Sequence, residues 1–308
     1  VLPFILGFLI SHQLLGLSLL VSLFLGGTLT ATSIGITVRV LSDLKRQQST
    51  EGQIVLGAAV LDDVLGVILL AVLYEFVIAG GVTLLNVSKV LLFVGAFFVI
   101  APVAAKLMSL VIRRFDAVSD IPGMIPTTIV ALVLFFAWLA HVLGAPELLG
   151  GFAAGLALSR RFFLPFGVAL RTDEKFAKRI EQDMRPIVHL FTPIFFVMVG
   201  LSLDLSAVDW SSPFIWTLFF SLLGVAVVGK LAGGFVLRAP WQTRVLIGTA
   251  MVPRGEVGLI FAELGRVNGI FDNEIYAALI LVIAVTTLAA PLIMNALYRR
   301  YWAVLVSA

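Results

Sequence analysis

The sequence predicts an all-α polytopic membrane protein, and three observations carry that expectation. Hydrophobic residues fill 60% of the 308 positions and charged residues only 13%, with a mean hydropathy of +1.11. A soluble domain cannot hide that much apolar surface. The apolar residues fall in runs of about 20, the length a helix needs to cross a hydrocarbon core. A weak internal repeat is also present: "GTLTATSIGITVRVL" at 27–41 resembles "GTAMVPRGEVGLIFAEL" at 248–264, with an insertion in the second copy. Each copy precedes another long apolar run, and the two copies run in opposite directions, the inverted arrangement of a secondary transporter.

The elements follow in order. "VLPFILGFLI" at 1–10 lacks the basic flank of a signal peptide and is too short to span. It reads as the tail of a helix whose start is missing, which predicts N-terminal truncation. Full spans are expected near 14–42, 53–79, 86–112, 124–144, 146–164, 186–205, 211–237, 241–267 and 273–298. The one sizeable polar connection, "RTDEKFAKRIEQDMR" at 171–185, has helix formers and mixed charge and predicts an interfacial or cytoplasmic helix. There is no cysteine, hence no disulfide or thiol chemistry.

The net charge of +3 is small, no nucleic-acid partner is expected, and the placement of charge is informative. With alternate loops assigned to two sides, fifteen cations collect on one: Lys45, Arg46, Arg113, Arg114, Arg160, Arg161, Arg171, Lys175, Lys178, Arg179, Arg185, Arg238, Arg244, Arg299 and Arg300. The other side has Lys89 and Arg266. By the positive-inside rule the first side, with the C-terminus, is cytoplasmic or its organellar equivalent. Arg39, Lys106, Lys230 and Arg254 fall inside expected spans.

Charge at the bilayer centre costs about 2.5–3.5 kcal/mol per residue on insertion scales and marks function. "GAAVLDDVLGVILLAVL" carries Asp62 and Asp63, about 14 Å into their span at 1.5 Å per residue. Adjacent helical residues point about 100° apart, so the two acids face different partners. Lys230 is also deep; it either snorkels to the nearer membrane face or pairs with an aspartate. "TATSIG" at 30–35 supplies Thr30, Thr32 and Ser33, hydroxyls that also commonly back-bond to helix carbonyls. "VPRGEVG" at 252–258 is broken by Pro and Gly at the matching repeat position. Broken helices at membrane depth line cavities and bind ions with their freed backbone groups. Arg254 and Glu256 are expected to neutralise each other or the exposed helix ends. Glu75, Glu263 and Arg39 lie near span ends and read as solvated, and His12, His141 and His189 as interfacial. The small residues of "GGFAAGLALS" at 150–159 permit close helix packing, including a dimer contact.

"TATSIGITVRVL", "GAAVLDDVLGVILLAVL", "PIFFVMVGLSLDL", "GKLAGG" and "MVPRGEVGLIFAELG" occur in the order found in the monovalent cation:proton antiporter superfamily. The chain resembles its second branch, the NapA-type sodium/proton exchangers and their Kef-like relatives, from the end of the third core helix onward. The resemblance implies an NhaA/NapA-like inverted-repeat fold in which two broken helices cross. It also implies division into residues 1–113 (first part of the core, ion-transport domain), 114–205 (dimerisation helices) and 206–308 (second part of the core). Asp63 matches the family's ion- and proton-binding aspartate. Asp62 matches the acid that pairs with a lysine of a later core helix, here Lys230, and Thr32, Ser33 and Glu256 match the two breaks. Members with the acid pair resemble electrogenic exchangers, those with "ND" electroneutral ones, and Kef-like proteins have "QD".

The function these residues imply is elevator-type exchange of Na⁺ (or Li⁺) for H⁺, with Asp63, Asp62, Thr32 and Ser33 binding the ion or proton. The chain is expected to be a homodimer in a bacterial inner membrane or organellar equivalent, with no cofactor and no enzymatic activity. K⁺/H⁺ exchange is the alternative within the superfamily. A cation channel would need a continuous polar path. An intramembrane aspartyl protease would need its two acids on facing helices, an arrangement adjacent Asp62 and Asp63 do not give.

Overall fold

A computed structural model describes residues 1–79, 123–142 and 174–306, together with nine single positions between them. The spans expected at 86–112 and 146–164, and the small-residue run at 150–159, lie mostly outside the described residues. In chain order the described helices are α1 (Leu2–Leu9, continued by a π turn Ile10–Leu14), α2 (Leu19–Thr30), α3 (Ile34–Asp43), α4 (Thr50–Ala79), α5 (Met124–Val142) and α6 (Glu174–Leu201). They continue with α7 (Pro213–Gly234), α8 (Trp241–Ala250), α9 (Glu256–Val267) and α10 (Asn273–Val306). Among the described residues six stretches are long and apolar enough to cross a membrane: Leu19–Asp43, Thr50–Val77, Ile125–Val142, Gln182–Ala207, Pro213–Gly234 and Asn273–Tyr301.

Two of the expected spans are interrupted. The one near 14–42 begins at Leu19 and breaks at Ala31–Ser33, where the backbone turns extended. The one near 241–267 divides into α8 and α9 around Met251–Gly255. Local chemistry explains the second break: Pro253 has no N–H and pushes Val252 out of the helical region. The polar connection at 171–185 differs from expectation, since α6 runs unbroken from Glu174 through Pro186 and Pro193 to Leu201. Its 28 residues give about 42 Å at 1.5 Å per residue, more than an apolar core of about 30 Å. The charged segment is therefore the first turns of a membrane helix and not a separate interfacial one. Two lost N–H groups do not stop a helix whose other bonds close within the segment.

The chain forms two compact units, Val1–Gly66 with Val199–Ala308, and Val67–Met198. In the first unit α7 lies against α1, α8 and α10, while α2 packs on α1 and α9. Gly229 permits the approach of α1, because a Cβ there would lie 3.1 Å from the Pro3 ring. A core of Val40, Leu41, Val55, Leu246, Ile247 and Met294 joins α3, α4, α8 and α10. Burying side chains of this kind stabilises by about 1.5–3 kcal/mol each where the alternative is water. In the second unit α5 buries Ile125, Ile129, Leu132, Phe136 and Ala140, the i, i+4 stripe of one helix face.

Candidate functional site

The two interrupted helices meet at their breaks. The Ser33 amide donates to the Pro253 carbonyl at 2.8 Å, and the Thr37 hydroxyl to the Ala250 carbonyl at 2.6 Å. Arg254 Nη1 donates to the Ala31 carbonyl at 2.6 Å. Residue numbers rise along one break as they fall along the other, so the two segments run antiparallel. Gly255 is required here, because a Cβ would sit 2.5 Å from Ser33 Cβ.

α4 passes this crossing with its acid pair. Asp62 Oδ2 accepts from the Thr32 hydroxyl at 2.5 Å and from Lys230 Nζ at 2.7 Å. Both ion-pair side chains are buried, Lys230 at 8% exposure and Asp62 at 10%. Lys230 thus takes the pairing alternative, and its ammonium does not extend to a membrane face. The Thr32 hydroxyl also lies 3.4 Å from the Met251 carbonyl, which ties the carboxylate to the second break. Asp63 is half-buried, turned from Asp62 by one helical step. Asp63 and Arg254 both lie within electrostatic range of Lys230. A desolvated carboxylate needs such partners, since a lone buried charge costs several kcal/mol.

Arg254 is fully buried. Beyond Ala31 it reaches the Ala226 carbonyl of α7 through Nη2 at 3.2 Å, and its own carbonyl accepts the Thr287 hydroxyl of α10. Ala226 is one helical turn before Lys230, so a single guanidinium joins the end of α2 to the lysine's helix. Glu256 is exposed and accepts from the Ser33 hydroxyl at 3.1 Å. Of the two expectations for this pair, Arg254 serves exposed helix carbonyls and does not form an ion pair with Glu256. The reason is geometric: the donors with acceptors on Arg254 are taken by the Ala31 carbonyl of the first break and the Ala226 carbonyl of α7.

Thr30 back-bonds to the Gly26 carbonyl at 2.9 Å, which leaves Thr32 and Ser33 as the hydroxyls presented at the break. Among the described residues no group of three or more His, Cys, Asp or Glu converges. Any cation here would meet carboxylate, hydroxyl and carbonyl oxygens, hard donors that suit an alkali or alkaline-earth ion more than a soft transition metal.

Sequence reasoning missed three features. Thr37 and Thr287 brace the crossing and carry no signal beyond ordinary helix residues. Glu51, 4% exposed, pairs with Arg46 Nη2 at 2.7 Å. Glu263, expected to be solvated, accepts from Arg266 Nη2 at 2.5 Å and from the Tyr276 hydroxyl at 3.0 Å. The Glu263/Arg266 spacing of three residues was the available cue to that pair. Arg39 behaves as expected, an exposed partner of Asp43 at 3.4 Å. His12, His141 and His189 are exposed.

The family described as sodium/hydrogen exchanger, transmembrane, matches residues 1–300. A high-affinity Na⁺/H⁺ antiporter, NhaS3, of Synechocystis is 34% identical over 303 residues, covering 96% of this chain and 62% of that relative. The chain thus spans less than two thirds of that protein's length. The Na⁺/H⁺-K⁺ antiporter GerN of Bacillus cereus is 31% identical over 297 residues, 94% of this chain and 71% of the relative. A K⁺/H⁺ antiporter of Saccharomyces cerevisiae is 25% identical over 272 residues, 86% of this chain and 29% of its own. With broken helices crossing beside a membrane-embedded acid pair, this all-α polytopic chain belongs to the transmembrane sodium/hydrogen exchanger family, within the monovalent cation:proton antiporter superfamily.

Proposed function

We propose that the chain is the membrane part of a secondary transporter that exchanges Na⁺ or Li⁺ for H⁺. The observation that carries this reading is the buried Asp62–Lys230 pair beside Asp63, at an antiparallel crossing of two broken helices. Asp63 is the carrier acid. Asp62 and Asp63 hold protons or a sodium ion, with Thr32 and Ser33 adding oxygen ligands, and like-charge competition prevents both loads at once. Sodium arriving at Asp62 neutralises the charge that holds Lys230, so the pair opens on loading and re-forms on release. Exchange is electrogenic, because the lysine adds a charge that an electroneutral site lacks.

The core comprises residues 1–113 and 206–308 and moves as an elevator against dimerisation helices within 114–205. The protein works as a homodimer, with its C-terminus on the cytoplasmic side. Arg254 and Glu256 support the crossing. The presence of K⁺ in the names of two relatives makes K⁺/H⁺ exchange the second reading.

The test is transport in proteoliposomes with Na⁺, Li⁺ and K⁺ compared at several pH values under clamped potential. Asp63→Asn is expected to abolish cation-driven proton movement, and persistence of that movement overturns the assignment. Lys230→Gln is expected to change the pH profile and the charge moved per cycle. If neither changes, the lysine only packs.

A further inference from the structure

One end of the first unit gathers arginines from three segments that are far apart in sequence. Leu44, Leu237, Leu297 and Tyr301 pack on a single apolar cluster. Lys45, Arg238, Arg299 and Arg300 lie within two positions of them along the chain. Arg244, on the first turn of α8, lies at the same end, donating to the Ala239 carbonyl at 2.6 Å. Arg39 and Arg46 complete seven cations. Asp43 and Glu51 are the acids of this end, and each is already engaged, by Arg39 at 3.4 Å and Arg46 at 2.7 Å. Seven cations less two leaves five without a carboxylate among the described residues.

The surface between them is aromatic and apolar. Trp241, 53% exposed, meets Tyr301 edge-on at 5.2 Å, and the Arg300 guanidinium lies 5.8 Å over the Tyr301 ring. Phe235 and Val236 are also exposed. Arginine over an aromatic ring stays charged and keeps donors for a second acceptor. Trp and Tyr favour the headgroup level of a bilayer. Orientation by the positive-inside rule asks only for cations on one side. It does not ask that they converge around an exposed tryptophan and its half-buried tyrosine partner.

We infer that this end of the unit binds the headgroup of an anionic phospholipid. Arg238, Arg299 and Arg300 meet its phosphate and glycerol oxygens, while Trp241 and Val236 lie against the upper acyl chains. Surface Lys or Arg contributes about fivefold per residue to binding of anionic lipid.

The test is native mass spectrometry of the full-length protein in detergent with equimolar phosphatidylglycerol and phosphatidylcholine. A preference of at least fivefold for phosphatidylglycerol is expected. It should fall stepwise in Arg238→Gln, Arg299→Gln and Arg300→Gln and approach unity in the triple variant. Arg300→Lys should retain most of it, and Arg39→Gln, whose partner is Asp43, should leave it unchanged. A triple variant that keeps the preference overturns the site, as does an equal loss in Arg39→Gln. Inorganic phosphate at millimolar concentration that removes the preference would make this a general anion site and overturn the lipid assignment. The substituted arginines, Arg39, Arg238, Arg299 and Arg300, are all exposed, so folding is not at stake. Binding is read without transport, so a chain inactive in cation exchange would leave the inference standing.

Discussion

Removing Asp62 should destabilise the protein more than removing Lys230. At 2.7 Å the pair attracts by about 6 kcal/mol for an effective dielectric of 20, and desolvation offsets most of that gain. The net worth of the pair is therefore small, while breaking it from one side costs about 3–5 kcal/mol. The two sides are not equivalent. Asp62→Asn leaves Lys230 and Arg254, two buried cations, facing a neutral amide. Lys230→Met leaves Asp62 with the Thr32 hydroxyl at 2.5 Å and Arg254 still within electrostatic range. The expected order is Asp62→Asn near the top of the 3–5 kcal/mol range and Lys230→Met below it. The double variant Asp62→Asn/Lys230→Met should lie well short of the sum, with a coupling of about 0.5–3 kcal/mol. Thermal melting in detergent at fixed lipid and protein concentration reads all three. Equal losses from both single variants, or additive losses in the double, would refute the asymmetric environment described here.

Gly255→Ala places a Cβ 2.5 Å from Ser33 Cβ; overpacking of this kind costs about 1–3 kcal/mol. Transport and melting temperature should both fall, and Ser33→Gly in the same chain should restore melting but not transport. Glu51→Gln removes the charge of a buried carboxylate paired with half-buried Arg46, and melting should drop by an amount equivalent to about 3 kcal/mol. Arg39→Ala breaks an exposed i, i+4 pair and should change stability by less than about 0.5 kcal/mol; similar losses from both would argue against the burial of Glu51.

The two breaks were legible for different reasons. Pro253 and Gly255 announce the second in the sequence itself. The first, Ala31-Thr32-Ser33, contains no residue that forbids helix, and it was located only through the repeat and the family resemblance. Its cause is tertiary: the Ser33 amide donates to Pro253 and the Ala31 carbonyl accepts from Arg254, so the local helix loses to partners about 220 residues away. Asp62 and Lys230 stood out because charge is costly at membrane depth, and cost is readable from composition. Their distance from one another was not readable, and the snorkelling alternative fell only to coordinates. Glu263 misled because depth was judged from the end of a span, whereas Tyr276 and Arg266 enclose it from the next helix and from its own. The unbroken α6 shows the opposite error, a charged stretch taken as a separate element where the helix runs on into its apolar part.

Antiparallel extended segments ordinarily exchange hydrogen bonds in both directions. At the crossing the bond from Ser33 to Pro253 has no return, because proline has no N–H to give back. The two segments therefore cannot zip into a ladder, and their backbone contact is a point, not a seam. A point fixes separation and leaves angle to other agents. Here those agents are side chains, the Thr37 hydroxyl on one flank and the Arg254 guanidinium on the other. The crossing is built like a pivot pin with two stays: one backbone bond sets the separation, and side chains set the angle.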